Sequence, residues 1–262
     1  MTSSVRTVSL KIQGDEVEAQ EGQSLLEVIR AQGHQVPSLC HHPGIRPYGA
    51  CRVCLVEVKK GQKTQLTTSC NYPVQPGLEV TLDTERVVRH RRMVLELLLA
   101  MAPDAAPIRD LAREHGVALS RFPQSPKPPQ LDNCILCGLC ARVCREVVGA
   151  EALSLAGRGM RRYLESQPFA ELPEACIGCG ACAHVCPTSA ISMEPLIVAR
   201  WKSRWGEERP CRYALMKLTP QAVCENNYEC ARCEVDQWMV EQARGEHPIF
   251  LRKPARAPEV LS

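Results

Sequence analysis

The sequence predicts an α+β fold divided among several small domains, and three observations carry that expectation. The first eighty or so residues show short strands of period two around one helix. The next stretch, 83–120, has the apolar spacing of helices. The sixteen cysteines fall into groups of four at ligand-like spacing. A chain of 262 residues with 4% aromatics is poor material for one large core. Small domains with thin cores need staples, either disulfides or metals.

Residues 1–82 read as a compact α/β domain. Val5 to Ile12 alternates, with Val8, Leu10 and Ile12 on one face and Thr7, Ser9 and Lys11 on the other. Glu16 to Ala19 suits a hairpin return after Gly14-Asp15. Ser24-Leu25-Leu26-Glu27 has the form of a capping box and opens a helix, Leu25 to Ala31, ended by Gly33. Leu55 to Val58 and Leu78 to Leu82 read as further strands. Two strands, a helix and two strands, with cysteines in the loop after the helix, suit a β-grasp ferredoxin.

Residues 83–120 read as a helical segment. Asp83 or Thr84 can cap it, and Val87, Val88, Val94, Leu95, Leu98 and Leu99 supply an apolar face. The basic run Arg86, Arg89, His90, Arg91, Arg92 is expected to be solvated or to face a partner. Pro103 and Pro107 end this helix, and Ile108 to Glu114 suits a second short one ended by Gly116. Residues 121–130 hold four prolines, Pro123, Pro126, Pro128 and Pro129, and form an expected extended linker. Residues 131–195 form a repeated cysteine module, and 196–262 a cysteine-rich extension with a polar tail.

The cysteines carry the chemistry. Cys134, Cys137, Cys140 and Cys144 read C-x2-C-x2-C-x3-C, and Cys176, Cys179, Cys182 and Cys186 repeat it before Pro187. This is the spacing of paired [4Fe-4S] clusters, in which the fourth cysteine of each run ligates the other cluster. The expected ligation is crossed: Cys134, Cys137, Cys140 and Cys186 on one cluster, Cys176, Cys179, Cys182 and Cys144 on the other. Gly138, Gly178, Gly180 and Ala181 leave room for the cubes. Near the N-terminus Cys40, Cys51, Cys54 and Cys70 read C-x10-C-x2-C-x15-C, which departs from the plant-type spacing.

That N-terminal set lies in Pro37-Ser38-Leu39-Cys40-His41-His42-Pro43, Tyr48-Gly49-Ala50-Cys51-Arg52-Val53-Cys54 and Thr67-Thr68-Ser69-Cys70-Asn71. It resembles the [2Fe-2S] domain of the large iron–sulfur subunit of respiratory complex I. Relatives include small diaphorase subunits of NAD-linked hydrogenases, iron-only hydrogenases and NAD-linked formate dehydrogenases. The helix Val87 to Leu99 and the paired-cluster module, with Gly157-Arg158-Gly159 between its halves, resemble the same family, so the likeness covers residues 5–195. It implies one [2Fe-2S] cluster on Cys40, Cys51, Cys54 and Cys70. One departure stands out. The family carries a His and three Cys for another cluster in the helical region, but Leu99 to Asp110 contains neither residue. His90 and His115 flank it and read as ordinary surface histidines.

The last four cysteines, Cys211, Cys224, Cys230 and Cys233, read C-x12-C-x5-C-x2-C. Structural zinc is the favoured reading, a further iron–sulfur cluster the competing one, and free thiols the third. Asn226, Asn227, Tyr228 and Trp238 could pack around this site, and Trp201 and Trp205, with Lys202, Arg204 and Arg209, suit a docking surface. His41 and His42 sit beside a set already complete in cysteine, so solvent or supporting roles are expected.

The formal charge of +3 does not argue for nucleic acid, because each cluster with four thiolates adds about −2. No apolar signal region opens the chain, and Leu97 to Ala102 is too short to span a bilayer. A cytoplasmic location is therefore expected, where dense cysteines bind metal rather than pair. No dinucleotide fingerprint, P-loop or nucleophile–base arrangement is present, so no catalytic residue is assigned. A hydride carries two electrons together, and a flavin normally splits them. The leading expectation is an electron-transfer subunit of a soluble, multi-subunit NAD(P)H-linked oxidoreductase. Its expected partners are a flavoprotein that oxidises NAD(P)H and a terminal catalytic subunit or ferredoxin. A free-standing polyferredoxin, or a redox or metal sensor using the C-terminal cysteines, are the alternatives.

Overall fold

The computed structural model describes residues 6–125, 132–165, 173–191, 194–205, 208–220 and 222–252. Most of the proline-rich linker and the polar tail lie outside them, as does the side chain of Trp205. The chain forms two compact units, one of residues 1–42 and 47–137, the other of 43–46 and 138–262.

The first unit is built on a five-stranded sheet of order β2-β1-β5-β3-β4. β1 (Thr7–Ile12) and β2 (Asp15–Gln20) form the hairpin expected at Gly14. Their buried positions alternate, with Val8, Leu10 and Ile12 facing the core. β5 (Glu79–Thr81) lies parallel to β1 and antiparallel to β3 (Leu55–Lys60), which makes the sheet mixed. α1 (Leu25–Ala31) buries Leu25, Leu26, Val28 and Ile29 in the same core.

Two local expectations are corrected here. β4 (Lys63–Thr68) completes a second hairpin with β3, a strand the sequence pattern does not predict. Ser24 stands at the start of α1 but makes no side-chain cap; its hydroxyl donates to the carbonyl of Cys70 at 3.0 Å.

α2 (Glu85–Met101) is capped by Thr84, whose hydroxyl accepts from the Val87 amide at 3.2 Å. α3 (Ala106–Glu114) takes Pro107 into its first turn, where the missing N–H costs nothing. Arg91 is not solvated. It is 6% exposed, and its guanidinium donates to the carbonyls of Val53 at 3.3 Å, Leu55 at 2.7 Å and Leu82 at 3.2 Å. His90 and His115 are half-buried at the surface of these helices.

In the second unit α4 (Leu139–Arg142) and α5 (Ala181–His184) are equivalent turns of the repeat. Each follows a left-handed glycine, Gly138 at φ 80° and Gly180 at φ 81°. A Cβ on Gly138 would sit 2.7 Å from Leu155 Cδ1, so both conformation and space require glycine there. A π turn over Val143–Val148 follows α4 and carries Cys144. β6 (Ser154–Ala156) and β7 (Tyr163–Glu165) form a short hairpin between the two cysteine runs. α6 (Glu194–Trp205), α7 (Arg212–Leu215) and α8 (Glu234–Ala243) make up the extension. Trp201 is 5% exposed, and its indole N–H donates to the Ile177 carbonyl at 3.0 Å. It therefore anchors α6 to the second cysteine loop instead of offering a docking surface.

Candidate metal centres

In the first unit Cys40, Cys51, Cys54 and Cys70 are all buried, between 0% and 6% exposed. The Cys51 amide donates to Cys40 Sγ at 3.3 Å. Cys40 also contacts the Cys70 thiol, and Cys54 contacts Cys70. Ser69 fastens the set, because its amide and its hydroxyl both donate to the Cys54 carbonyl, at 3.0 and 2.9 Å. The thiols share their protons unequally. Hydrogen bonds from Cys51 and Cys70 hold Cys40 far below the usual thiol range, and Cys70 holds Cys54 down at about 7. The contact with Cys40 pushes both Cys51 and Cys70 up. Arg91 lies close enough to Cys54 for their charges to interact. The contacts join the four sulfurs in one series, Cys51–Cys40–Cys70–Cys54, a compact buried donor set that suits a small cluster.

The boundary between the two units falls between Cys137 and Gly138. Cys134 and Cys137 belong to the first unit, Cys140 and Cys186 to the second. The Leu136 amide donates to Cys134 Sγ at 3.3 Å, as the Gly178 amide does to Cys176 Sγ at 3.3 Å. This repeated contact is the local turn that the shared C-x2-C spacing encodes. The Ala190 amide donates to Cys186 Sγ at 3.3 Å.

The second unit brings four cysteines around one cavity. Cys144, from the first run, lines it together with Cys176, Cys179 and Cys182 of the second. Ala150, Ala152, Leu153, Ala181 and Gly180 complete walls that are almost wholly apolar. Cys144 comes to this place because its π turn adds a residue to the helical ladder and re-aims the side chain. The Ala152 amide then donates to Cys144 Sγ at 3.3 Å. Burial pushes Cys179 up to about 11 and raises Cys144 and Cys182 as well. Thiols held neutral by burial ionise when a metal core supplies the compensating positive charge. The four-sulfur donor set, the apolar walls and the amide-to-sulfur bonds fit a cubane cluster.

The C-terminal extension packs against this loop through two contacts that sequence reasoning missed. Arg212 donates to the Cys179 carbonyl at 3.3 Å and pairs with Asp236 at 3.4 Å. His247 Nδ1 accepts from the Ile249 amide at 3.1 Å, so Nε2 carries the proton and donates to the Cys179 carbonyl at 2.9 Å. Burial pushes His247 down to about 4, which keeps it in this neutral form at pH 7. No local pattern marks either residue.

Around the last four cysteines, Pro210 and Val223 form an isolated antiparallel bridge. The Cys211 amide donates to the Ala222 carbonyl and the Cys224 amide to the Arg209 carbonyl, so the two cysteines flank that bridge, one at each end. The Tyr228 amide donates to Cys224 Sγ at 3.2 Å, and its buried ring lies 5.0 Å from Trp201. Trp238 is 54% exposed and turns away from the buried side. Among the described residues no helix is long and apolar enough to cross a membrane.

Residues 5–85 match the 2Fe-2S iron–sulfur cluster binding domain, and residues 130–193 match the 4Fe-4S dicluster domain. The alpha subunit of the NADPH-Fe(3+) oxidoreductase of Geobacter sulfurreducens is 31% identical over 174 residues, 58% of this chain and 20% of the relative. The mitochondrial 78 kDa subunit of the NADH-ubiquinone oxidoreductase of Neurospora crassa is 31% identical over 191 residues, 63% of this chain and 25% of the relative. The chain thus spans about a quarter or less of the length of these curated relatives. A solved structure of NAD+-reducing [NiFe]-hydrogenase contains a chain 33% identical, with a TM-score of 0.53, covering 60% of this chain and 74% of that one. With both iron–sulfur domains present and about three quarters of the hydrogenase chain matched at 33% identity, the chain belongs to the complex I large iron–sulfur subunit family.

Proposed function

We propose that this chain is an electron-transfer subunit of a multi-subunit NAD(P)H-linked oxidoreductase. It relays single electrons between a flavoprotein that oxidises NAD(P)H and a terminal catalytic subunit or ferredoxin. One observation carries the reading: Cys144 shares a single apolar cavity with Cys176, Cys179 and Cys182. That is the crossed donor set of a paired-cluster ferredoxin.

The proposed cofactors are one [2Fe-2S] cluster on Cys40, Cys51, Cys54 and Cys70 and two [4Fe-4S] clusters. One cubane takes Cys144, Cys176, Cys179 and Cys182; the other takes Cys134, Cys137, Cys140 and Cys186. Each cluster, when bound, exchanges one electron at a time without moving a proton or breaking a bond. The chain's own residues set the conditions for that exchange. Ser69 and Ser24 hold the two loops of the N-terminal set by their backbone carbonyls. Arg91 places a buried positive charge beside Cys54, which favours extra negative charge there. Alanine, leucine and glycine walls keep water from the second-unit set.

The reading also supports an account of the missing His and three Cys. The segment from Leu99 to Asp110 supplies packing instead, with Leu99, Ala100, Ala102, Ala105 and Ile108 buried. Electrons therefore pass without a cluster in this helical region. Anaerobic isolation of the native chain tests the proposal. It should come with a subunit containing FMN or FAD, and NAD(P)H should bleach its clusters only in that subunit's presence. Recovery as a lone monomer that any unrelated reductase reduces equally well would count against it.

A further inference from the structure

We infer that Arg212 and His247, both in the C-terminal extension, are positioning residues for the cubane on Cys144, Cys176, Cys179 and Cys182, and that they raise its reduction potential. This deepens the proposed electron-transfer function and rests on it. Neither matched iron–sulfur domain reaches these two residues, since the matches end at 85 and 193.

The direction of the hydrogen bonds is the first reason. Five side chains of the extension donate to the cysteine module, and in each of these bonds the acceptor is a backbone carbonyl. Arg200 donates to Glu174 at 3.0 Å and Trp201 to Ile177 at 3.0 Å. Arg252 donates to Val147 at 3.3 Å and to Val148 at 3.4 Å. Arg212 and His247 converge on one acceptor, the Cys179 carbonyl, at 3.3 and 2.9 Å. A carbonyl oxygen offers two lone pairs, so this one is fully engaged. Partners of this kind fix a ligand's loop and tune the metal it holds.

Place is the second reason. Cys179 and Gly180 line the apolar cavity shared by the four thiols. The same two residues line a cleft of about 790 Å³, and Arg212 and His247 line it with them. One thickness of backbone thus stands between the two donors and the cavity. A Cβ on Gly180 would lie 3.9 Å from His247 Nε2, so the imidazole rests against the glycine itself.

Charge is the third reason. Reduction adds one electron, supplied by the flavoprotein, and no bond breaks and no proton moves. Positive charge and N–H dipoles beside a ligand favour the added negative charge. Burial raises the Cys179 thiol, and the charge of Arg212 acts in the opposite sense. Asp236 works against the arginine. Its carboxylate lies 3.4 Å from the guanidinium and accepts from the Tyr213 hydroxyl at 2.7 Å. Removing that carboxylate would leave the Arg212 charge uncompensated.

Arg212 directly follows Cys211, so replacing it would disturb the last cysteine set. The test therefore uses His247 and Asp236. The full chain, purified anaerobically in its complex, is titrated with dithionite and followed by low-temperature EPR. In His247→Leu the midpoint of one cubane should move to a more negative potential. His247→Gln keeps an N–H near the position of Nε2 and should restore most of the wild-type value. Asp236→Asn should move the same midpoint the other way, while the binuclear centre stays where it is. Opposite shifts from two neighbouring residues are not what loosening a loop produces. If the His247 variants do not fold, the Asp236→Asn midpoint decides alone. Intact clusters whose midpoints do not move in any variant overturn this inference and leave the proposed function standing. Equal shifts in both His247 variants overturn it as well, because the donor would then be immaterial. A chain without iron overturns both.

Discussion

Ser24 donates its hydroxyl to the carbonyl of Cys70 at 3.0 Å, fastening the start of the first helix to the last cysteine of the N-terminal set. The residue placed for a capping role thus serves the metal loop. Ser24→Ala should cost about 1 kcal/mol, one partly buried hydrogen bond. Chemical denaturation of the holoprotein measures it. The visible circular dichroism of the [2Fe-2S] centre should weaken at a lower denaturant concentration than in the wild type.

Arg91 holds three backbone carbonyls at the base of the same loop. Arg91→Met keeps the volume of the stem but leaves those acceptors unpaired. The expected loss is about 2–4 kcal/mol. It also removes a positive charge from beside Cys54, so the [2Fe-2S] potential should move to more negative values. Arg91→Lys should restore part of the potential shift and less of the stability, because an ammonium cannot span three carbonyls. A redox titration followed by EPR separates the two effects.

Crossed ligation predicts which losses add. Cys144→Ser and Cys176→Ser should each remove about four irons, and the double variant no more than either. Cys144→Ser combined with Cys134→Ser should remove about eight. Iron analysis of the four variants gives the answer. Additive loss in the first pair would mean that the two sulfurs serve different clusters.

Removing the metal should affect the two units differently. The first has a continuous core running from Val8 to Leu82, in which Cys54 and Cys70 are the only proposed ligands among the described residues. In the second, four of the thiols themselves line a buried apolar cavity of the repeat. Oxidative cluster removal under chelation should leave slow amide exchange in β1, β3 and α1. Residues 139–148 and 181–186 should exchange rapidly.

Sequence carried the elements whose signals are local. The first helix was legible because Leu25, Leu26, Val28 and Ile29 follow a polar start and precede Gly33. β4 was missed because Lys63, Thr64 and Gln65 show no apolar alternation; its partner β3 provides the order. Arg91 was hidden inside a basic run, yet a signal existed. It lies four residues from both Val87 and Leu95, on the face that buries both. Arg212 and His247 were not legible, since their target is the carbonyl of a residue more than thirty positions away. The C-x2-C turns were legible because such a turn is a local structure. Their wider assembly depends on the π turn at Cys144, which no residue pattern announces.

Low-temperature EPR of the anaerobic chain, reduced stepwise with dithionite, tests the central claim most directly. The account predicts a slowly relaxing signal from the binuclear centre that persists on warming. Fast-relaxing signals from interacting cubanes should appear only at the lowest temperatures. A colourless chain, free of iron and silent at every temperature, would contradict it.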